Sequence, residues 1–465
     1  MRKQTFNPYL PSYEYVPDGE PRVFNDTLYI FGSHDKFGGN DYCINDYVCW
    51  SAPVDDLSKW TLSGTIFKKE QCPHKGNLFA PDVVQGFDGK FYLYFSAAES
   101  SVISVAICDT PDGQYEYLGD VSYSDGTRLG ERSTDNFQFD PSVLIDGTRV
   151  WLYSGSGQTS IQSRIKNKIA GAMSIELMND MITIKTDPKL IMTADETWKS
   201  PNFFEAASVR KIKSLYYLVF SATNGSGLNY CTSEYPDKDF KYRGVIHSPS
   251  DIGYNKRNHL SATYPIGNTH GGLVEINNHW YIFNHRMTNK NYYTRQGVAE
   301  QIFINDDGTI NQVESTSCGL NNGPLVGDGL YPSYIACNLM SKNIIGIPSI
   351  NKGPYITQTG DDRNEGPNQF VTNITNNDLI GFKYFDFKNK ISQISVKIKG
   401  DGSGKFLIFT DEKCRNKICE INIKPSSNWE TYASNATSCS GIQPLYFKYK
   451  GNKSISFDEF HLITN

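Results

Sequence analysis

The chain has 465 residues, with 45 lysines and arginines, 50 acidic residues and a formal net charge of −5 at pH 7. The charges are spread along the chain, so no basic stripe indicates a nucleic-acid partner and no polybasic or amphipathic segment indicates a membrane surface. The N-terminal residues MRKQTFNPYLPSYEY lack the apolar core of a signal peptide, and no apolar run approaches the roughly 18 residues of a membrane helix. We therefore expect a cytoplasmic protein, or an extracellular one if a signal segment has been removed.

The ten cysteines are too few for a disulfide scaffold in a chain of this length. Cys43 and Cys49 are close in sequence, as are Cys414 and Cys419, but neither pair has further ligands at a zinc-site spacing. We expect reduced and mostly buried thiols.

A short aromatic run recurs five times in the N-terminal two thirds of the chain, at intervals of about 60 residues. The runs are LYIF, FYLYF, VWLY, YYLVF and WYIF, centred on Tyr29, Tyr92, Trp151, Tyr217 and Tyr281. Turn pairs such as Asp88-Gly89 and Asp146-Gly147 border them, as in β-hairpins. Such an interval fits a four-stranded antiparallel unit, so residues 1–322 are predicted to form a five-bladed β-propeller. The alternative is an irregular β-sandwich with accidental periodicity.

A carboxylate or a histidine lies about eleven residues before each aromatic run, which the propeller would place on its innermost strands. These residues are Asp18, Asp82, Asp140, Glu205 and His270. Each stands before an apolar stretch, so the common phase predicts that the five side chains meet at one mouth of the axial channel.

Beyond about residue 320 the aromatic repeat stops and a Gly- and Pro-rich segment, GLNNGPLVGDGLYPSY, indicates a linker. Alternating runs such as FKYFDF, KISQISVKIKG and GKFLIFTD then follow. Strands of this length separated by turns predict a second domain over residues 330–465, a β-sandwich of the jelly-roll-like kind. The fold class is therefore all-β in both domains.

Asp18, Asp140 and Glu205 are the sharpest candidates for chemistry. Carboxyl groups before inner strands are partly desolvated, and their mutual repulsion separates their pKa values. Hydrolysis of a glycosidic bond needs one carboxylic acid to protonate the leaving oxygen and one carboxylate to activate water. Glu20 competes with Asp18, because residues two apart share one face of a strand. The alternative is that these acids only cap turns.

The two other members of the ring and one nearby arginine are weaker candidates. Asp82 is expected to be a scaffold residue or to bind substrate at a subsite. His270 is a candidate ligand for a metal ion or a water molecule on the axis, with a hydrogen-bonded structural histidine as the alternative. Arg286, which follows the fifth aromatic run, is a candidate substrate ligand because its guanidinium can bind hydroxyl or carboxylate groups. A surface salt bridge is its alternative role.

The N-terminal 320 residues resemble glycoside hydrolase family 43, through YVPDGEPRVF, FDPSV, FFEAAS and NTHGGLVEINNHWYIFNHR. The resemblance implies a five-bladed propeller in which Asp18 is the general base, Asp140 the pKa modulator and Glu205 the general acid. It also implies an axial calcium ion, sodium ion or water at His270 and no cofactor for the chemistry. Ala206-Ala207 stands where the family usually has Gly-Pro, and Gly19 where it usually has Pro. The C-terminal region resembles carbohydrate-binding module family 6, but its usual sugar-binding aromatics are not clear.

The resemblance implies an exo-acting, inverting glycosidase that removes β-D-xylosyl or α-L-arabinofuranosyl residues from oligosaccharides of plant cell-wall xylan. An endo-acting arabinanase or xylanase of the same fold remains an alternative. A retaining fructan or sucrose hydrolase would need an Asn-Asp-Pro-Asn type segment and a Glu-Cys segment, and the sequence has neither. A non-catalytic sugar-binding propeller would not need three acids in these blades.

Overall fold

A computed structural model describes residues 4–157, 170–193, 202–342, 348–363, 368–437 and 439–464. Within those ranges the regular structure is almost all strand, with four short 3₁₀ helices at Lys69–Gln71, Tyr254–Lys256, His259–Ser261 and Ser333–Ile335. Within the same residues, no helix is long and apolar enough to span a bilayer. All ten cysteines are described and are unpaired, as the sequence predicts.

The first three blades of the propeller are four-stranded antiparallel sheets in which the strands follow one another in chain order. Blade 1 contains β1 (Glu20–Phe24), β2 (Thr27–Phe31), β3 (Tyr47–Pro53) and β4 (Thr61–Phe67). Blade 2 contains β5 (Leu78–Gln85), β6 (Phe91–Ala97), β7 (Ser104–Cys108) and β8 (Glu116–Asp120). Blade 3 contains β9 (Ser142–Asp146), β10 (Arg149–Ser156), β11 (Gly171–Leu177) and β12 (Lys189–Thr193).

The last two blades follow the same plan. Blade 4 contains β13 (Phe203–Ile212), β14 (Leu215–Ala222), β15 (Leu228–Ser233) and β16 (Lys241–His247). Blade 5 has three strands in the described residues, β17 (Leu273–Ile276), β18 (His279–Met287) and β19 (Arg295–Ile302). The five aromatic runs are therefore the second strands of the five blades.

The first strands of the blades form a closed ring, because β1, β5, β9, β13 and β17 contact one another in that order and β17 contacts β1. The N-terminal segment helps to close the ring beside blade 5. The backbone N–H of Tyr9 donates to the carbonyl of Gly297, and that of Asn7 donates to the carbonyl of Ser317. The predicted five-bladed propeller is confirmed. Asp82 and Glu205 lie on first strands, and Asp18, Asp140 and His270 lie two or three residues before them.

The hairpins between first and second strands use the turn chemistry that the sequence indicates. Asn25 and Asp26 both have positive φ, 47° and 58°, and Asn277 and Asn278 have φ of 51° and 62°. Two consecutive left-handed residues define the type I′ turn, whose twist matches that of the flanking strands. These two turns thus fix the register between the first and second strands of blades 1 and 5.

The propeller has no single core; apolar side chains are buried between each pair of neighbouring blades. Blades 1 and 2 enclose Phe31, Phe67 and Phe95, for example, and blades 5 and 1 enclose Ile30 and Phe283 together with the N-terminal segment. Burying one such side chain completely contributes about 1.5–3 kcal/mol. This packing holds the blades as one rigid ring around the axis.

The C-terminal region is a sandwich of two six-stranded sheets, as predicted. One sheet contains β20 (Leu325–Val326), β22 (Asn338–Met340), β25 (Leu379–Phe387), β27 (Gly404–Phe409), β28 (Lys417–Ile423) and β30 (Gly441–Gly451). The other contains β21 (Gly329–Pro332), β23 (Tyr355–Gln358), β24 (Gln369–Ile374), β26 (Ile391–Gly400), β29 (Ser426–Asn435) and β31 (Ile455–Thr464). β20 and β21 lie within the Gly- and Pro-rich segment GLNNGPLVGDGLYPSY, which the sequence indicates to be a linker.

Candidate active site

The three predicted catalytic carboxylates lie at the ends of inner strands. Asp18 and Asp140 each stand two residues before a first strand, β1 and β9, and Glu205 is the third residue of β13. The backbone N–H of Ala206 donates to Oδ2 of Asp140 at 2.9 Å, which joins the third and fourth blades directly. The negative charges of Glu205 and Asp18 both raise the pKa of Asp140, so the three carboxyl groups lie close together in the structure.

The backbone at this site is left-handed at three non-glycine residues. φ is 58° at Asp18, 48° at Asp140 and 64° at Ala206, next to Glu205. Aspartate tolerates this region comparatively well, whereas alanine pays about 1–2 kcal/mol for it. Register shifts in the pairing of β13 with β14 flank Glu205 on both sides. Residues held in sparsely populated conformations cluster at functional sites, where the surrounding structure fixes them.

Arg295, at the start of β19, is the cation of the site and is 2% exposed. Its Nη1 donates to both carboxylate oxygens of Asp18, at 3.0 and 3.2 Å. Its Nε and Nη2 donate to Asp35, at 2.8 and 2.9 Å, and its backbone N–H donates to the same carboxylate at 3.0 Å. One guanidinium therefore bridges two buried carboxylates, with the ring of Tyr42 5.0 Å away.

The environment of Asp18 keeps it ionised. Burial by itself would raise its pKa, but the Arg295 guanidinium lowers it, and Arg295 and the neighbouring histidines together outweigh burial. His285, whose Nδ1 is 3.2 Å from Oδ1 of Asp18, acts in the same direction. The pKa of Asp18 is therefore held well below its usual range. A general base must be ionised at neutral pH to accept a proton from water, and Asp18 meets this requirement.

Glu205 and Asp140 have the opposite environment. Burial and then the negative charge of Asp18 raise the pKa of Glu205 to about 8. Burial, followed by the charges of Glu205 and Asp18, raises the pKa of Asp140 well above its usual range, although the N–H of Ala206 opposes the shift. The site thus holds an ionised carboxylate and a protonated carboxylic acid together at neutral pH.

His270 lies beside Asp140, with its Nδ1 3.5 Å from Oδ2. Burial lowers the pKa of His270 to about 4, so its imidazole is neutral at pH 7. Across the described residues, no group of three or more His, Cys, Asp or Glu side chains could hold a metal ion. A calcium ion takes six to eight oxygen ligands, so these side chains fit a water molecule or a hydrated ion better than a tightly held one.

Asp82 and Glu20 belong to a different buried network. Both carboxylate oxygens of Asp82 bind Arg22, at 2.9 and 2.5 Å, and one also accepts the N–H of Val143 at 2.8 Å. Glu20 pairs with Arg210 at 2.6 Å. A Cβ on Gly272 would lie 2.5 Å from Oε2 of Glu20, which explains a glycine at this close approach.

These contacts decide two sequence expectations. Both oxygens of the Asp82 carboxylate accept hydrogen bonds from Arg22, and one accepts the backbone N–H of Val143. These contacts favour the scaffold role for Asp82 and do not support the expected role in substrate binding. Glu20 pairs with Arg210, and burial raises its pKa. The pKa of Asp18 is lowered instead, and its charge acts on Glu205, which favours Asp18 over Glu20 as the base.

Arg286 has a structural position instead of the substrate-binding position that the sequence suggests. Its Nη1 donates to the carbonyl of Ala336 at 2.8 Å, and its Nη2 donates to the carbonyl of Tyr334 at 2.6 Å and to Gln296 at 3.2 Å. The guanidinium therefore ties blade 5 to the segment that leads into the sandwich.

Sequence reasoning missed Arg295, Asp35 and His285. Asp35 and His285 do not fall in the phase of the polar ring, and Arg295 lies far from Asp18 in the chain. A faint signal was present, since an arginine opens the otherwise buried strand RQGVAEQI. A charge in such a strand requires a buried partner.

Comparison with known proteins agrees with the fold. The sequence matches Glycosyl hydrolases family 43 over residues 14–310. It is 44% identical over 483 residues to a xylosidase/arabinosidase of Thermoclostridium stercorarium, with both chains fully covered. It is 27% identical to a xylosidase/arabinosidase of Bacteroides ovatus, covering 60% of this chain and 87% of the relative.

A solved structure has a similar fold over almost the whole chain. The family 43 arabinoxylan arabinofuranohydrolase of Bacillus subtilis, in complex with cellotetraose, superposes with a TM-score of 0.53 at 20% identity. The match covers 99% of this chain and 97% of that structure, so both domains have counterparts there. The extent of the family match and the identity to a full-length relative place this chain in glycosyl hydrolase family 43, and the protein is a glycoside hydrolase.

Proposed function

We propose that the protein is an exo-acting, inverting glycosidase that removes terminal β-D-xylosyl and α-L-arabinofuranosyl residues from oligosaccharides of xylan and arabinoxylan. The observation that carries the proposal is one buried site that pairs Asp18 with Arg295 and joins Asp140 to the backbone beside Glu205. The lowered pKa of Asp18 and the raised pKa of Glu205 agree with these contacts. The substrate class is supported by the 44% identical relative, a xylosidase/arabinosidase that covers the whole chain.

In this mechanism Glu205 donates its proton to the glycosidic oxygen as the bond to the anomeric carbon breaks. Asp18 removes a proton from a water molecule that attacks the anomeric carbon from the opposite face, which inverts the configuration. Because its pKa is raised, Glu205 still carries the proton at neutral pH. Arg295 keeps Asp18 ionised, so that Asp18 can accept a proton. Both catalytic groups are side chains, so the chemistry needs no cofactor.

Asp140 acts on the general acid without contacting the leaving group. Its Oδ2 accepts the N–H of Ala206, so it fixes the backbone that carries Glu205. The charge of Glu205 raises the pKa of Asp140, so the two neighbouring carboxyl groups titrate together. His270 lies 3.5 Å from the same oxygen of Asp140 and would hold a water molecule, or a weakly bound calcium or sodium ion, on the axis.

A panel of nitrophenyl glycosides tests the proposed reaction, with natural arabinoxylan oligosaccharides included. We expect cleavage of the β-D-xyloside, the α-L-arabinofuranoside or both, and the inverted anomer as the first product in NMR spectra. Monosaccharide as the first product indicates exo action, whereas internal fragments would indicate the endo alternative. A product that retains its configuration would overturn the assignment of Asp18 as a base.

Two variants test the roles of the residues. Glu205→Gln and Asp18→Asn should each lower kcat by about two to four orders of magnitude, the range typical for the loss of a general acid or base. Thermal unfolding checks that both variants fold. If either variant keeps near-wild-type turnover, the role of that residue is wrong.

A further inference from the structure

The sandwich reaches the rim of the propeller through the residues that follow β23. The carboxylate of Asp362, which lies in the sandwich, accepts the backbone N–H of Phe37 at 2.6 Å and the side-chain amide of Asn45 at 3.0 Å. Phe37 and Asn45 belong to the connection between β2 and β3. A single side chain of one domain therefore fastens two points of a loop of the other.

Arg363 makes a second contact with the same region. Its Nε lies 3.0 Å from Oε1 of Glu14, and its Nη1 lies 3.4 Å from Nε2 of His34. The carboxylate of Glu14 is fully buried, and Trp50 donates to its other oxygen at 2.5 Å. Arg363 thus supplies the counter-charge for a buried propeller carboxylate.

The fastened connection needs such anchors because it is long. β2 ends at Phe31 and β3 begins at Tyr47, whereas most hairpin loops have about two to five residues. Loops of this length without regular structure are commonly functional. Here the connection carries Asp35, whose carboxylate holds Arg295.

The contacts form a continuous path from the sandwich to the proposed base. Asn45, fastened by Asp362, donates to the carbonyl of Asp35 at 3.0 Å. The Asp35 carboxylate accepts the N–H of Cys43 at 3.1 Å and binds Arg295 at 2.8 and 2.9 Å. Arg295 in turn binds Asp18.

We propose that Asp362 and Arg363 of the sandwich are positioning residues for Asp18, which they reach through the β2–β3 connection, Asp35 and Arg295. The C-terminal domain thereby completes the catalytic site, whether or not it binds sugar. The proposal rests on the proposed function, because it takes Asp18 as the base. Loss of these anchors loosens Asp35, weakens the hold of Arg295 on Asp18 and raises the pKa of Asp18.

The test compares Asp362→Ala with Glu412→Gln as a matched control. Glu412 also joins the sandwich to the propeller, through an ion pair with Arg257, but that pair does not contact the path to Asp18. Each variant is assayed for kcat, KM and the pH profile of kcat/KM on the nitrophenyl glycoside that the wild type cleaves best, and for thermal unfolding.

For Asp362→Ala we expect kcat to fall about tenfold with KM changed less than about twofold, because misplacing a catalytic group costs turnover more than binding. The acid limb of the pH profile reports the pKa of the free enzyme's base. It should lie at least about half a pH unit above the wild-type limb, or become visible where the wild-type profile is still flat. Glu412→Gln should leave kcat and the limb unchanged. Equal behaviour of the two variants would overturn the positioning proposal.

Further variants keep the test decisive. Asp362→Asn keeps one acceptor oxygen and should show a loss of kcat intermediate between the wild type and Asp362→Ala. It replaces Asp362→Ala in the test if the alanine variant is unstable. In an Asp35→Asn background, Asp362→Ala should lower kcat little further, whereas full additivity would show that the two residues act independently. Near-wild-type turnover of Asp18→Asn would instead overturn the proposed function, so the two failures are distinguishable.

Discussion

Replacing Arg295 by methionine tests the electrostatic account of the site most directly. The substitution keeps an unbranched apolar chain and removes the charge that two buried carboxylates share. Removing one partner of a buried ion pair costs about 3–5 kcal/mol. Asp35 would keep the N–H groups of Cys43 and of residue 295, and Asp18 would keep His285. We therefore expect a loss in the lower half of that range, about 3–4 kcal/mol.

The same substitution should change the titration of the base. Burial already raises the pKa of Asp18, and Arg295 is the main influence that lowers it. Without Arg295 the pKa should rise to at least the ordinary value of about 3.9. Since a base is active only when ionised, the acid limb of kcat/KM should then appear between about pH 4 and pH 6. A shift of one pH unit corresponds to about 1.4 kcal/mol.

The assay is the pH profile of kcat/KM together with urea unfolding, and Arg286→Met is the control. Arg286 is 4% exposed and Arg295 is 2% exposed, but Arg286 binds backbone carbonyls and not Asp18. The control should lose stability without moving the acid limb. If Arg295→Met folds and its acid limb stays within about 0.3 pH unit of the wild-type limb, Arg295 does not set the pKa of the base.

Three further predictions concern other parts of the site. Turnover should fall as pH rises through about 8, where Glu205 loses its proton. Because the folded-state pKa of Glu205 is raised above 4.5, its contribution to stability is full below pH 4.5 and is lost as pH rises through about 8. Glu205→Gln should remove that loss, as seen in melting at pH 6 and pH 9. Ala206→Gly should leave the free energy of unfolding equal or raise it by up to about 1 kcal/mol, whereas Ala207→Gly, whose φ is not positive, should lower it by about 1 kcal/mol. Arg22→Met should destabilise the fold by about 3–5 kcal/mol, because it leaves the buried Asp82 carboxylate without its arginine partner. It should not move either limb of the pH profile.

The position of each polar residue relative to its aromatic strand was readable from the sequence because each blade is a local unit. Asp18 and Asp140 lie before first strands at the same phase, and Glu205 lies near the start of a first strand. The same phase placed Asp82 in the ring as well, although its carboxylate pairs with Arg22. Phase places a side chain near the axis but does not reveal what it contacts there.

The sequence by itself determined the number of blades, their order and the ring of polar residues, because hairpin turns and strand periodicity act over a few residues. The tertiary structure alone decided which acids are ionised. That outcome depends on Arg295, which meets Asp18 across the closure between the first and last blades. Electrostatic interactions act through space at short range, so charges distant in the chain set the pKa of a buried group only after the chain has folded.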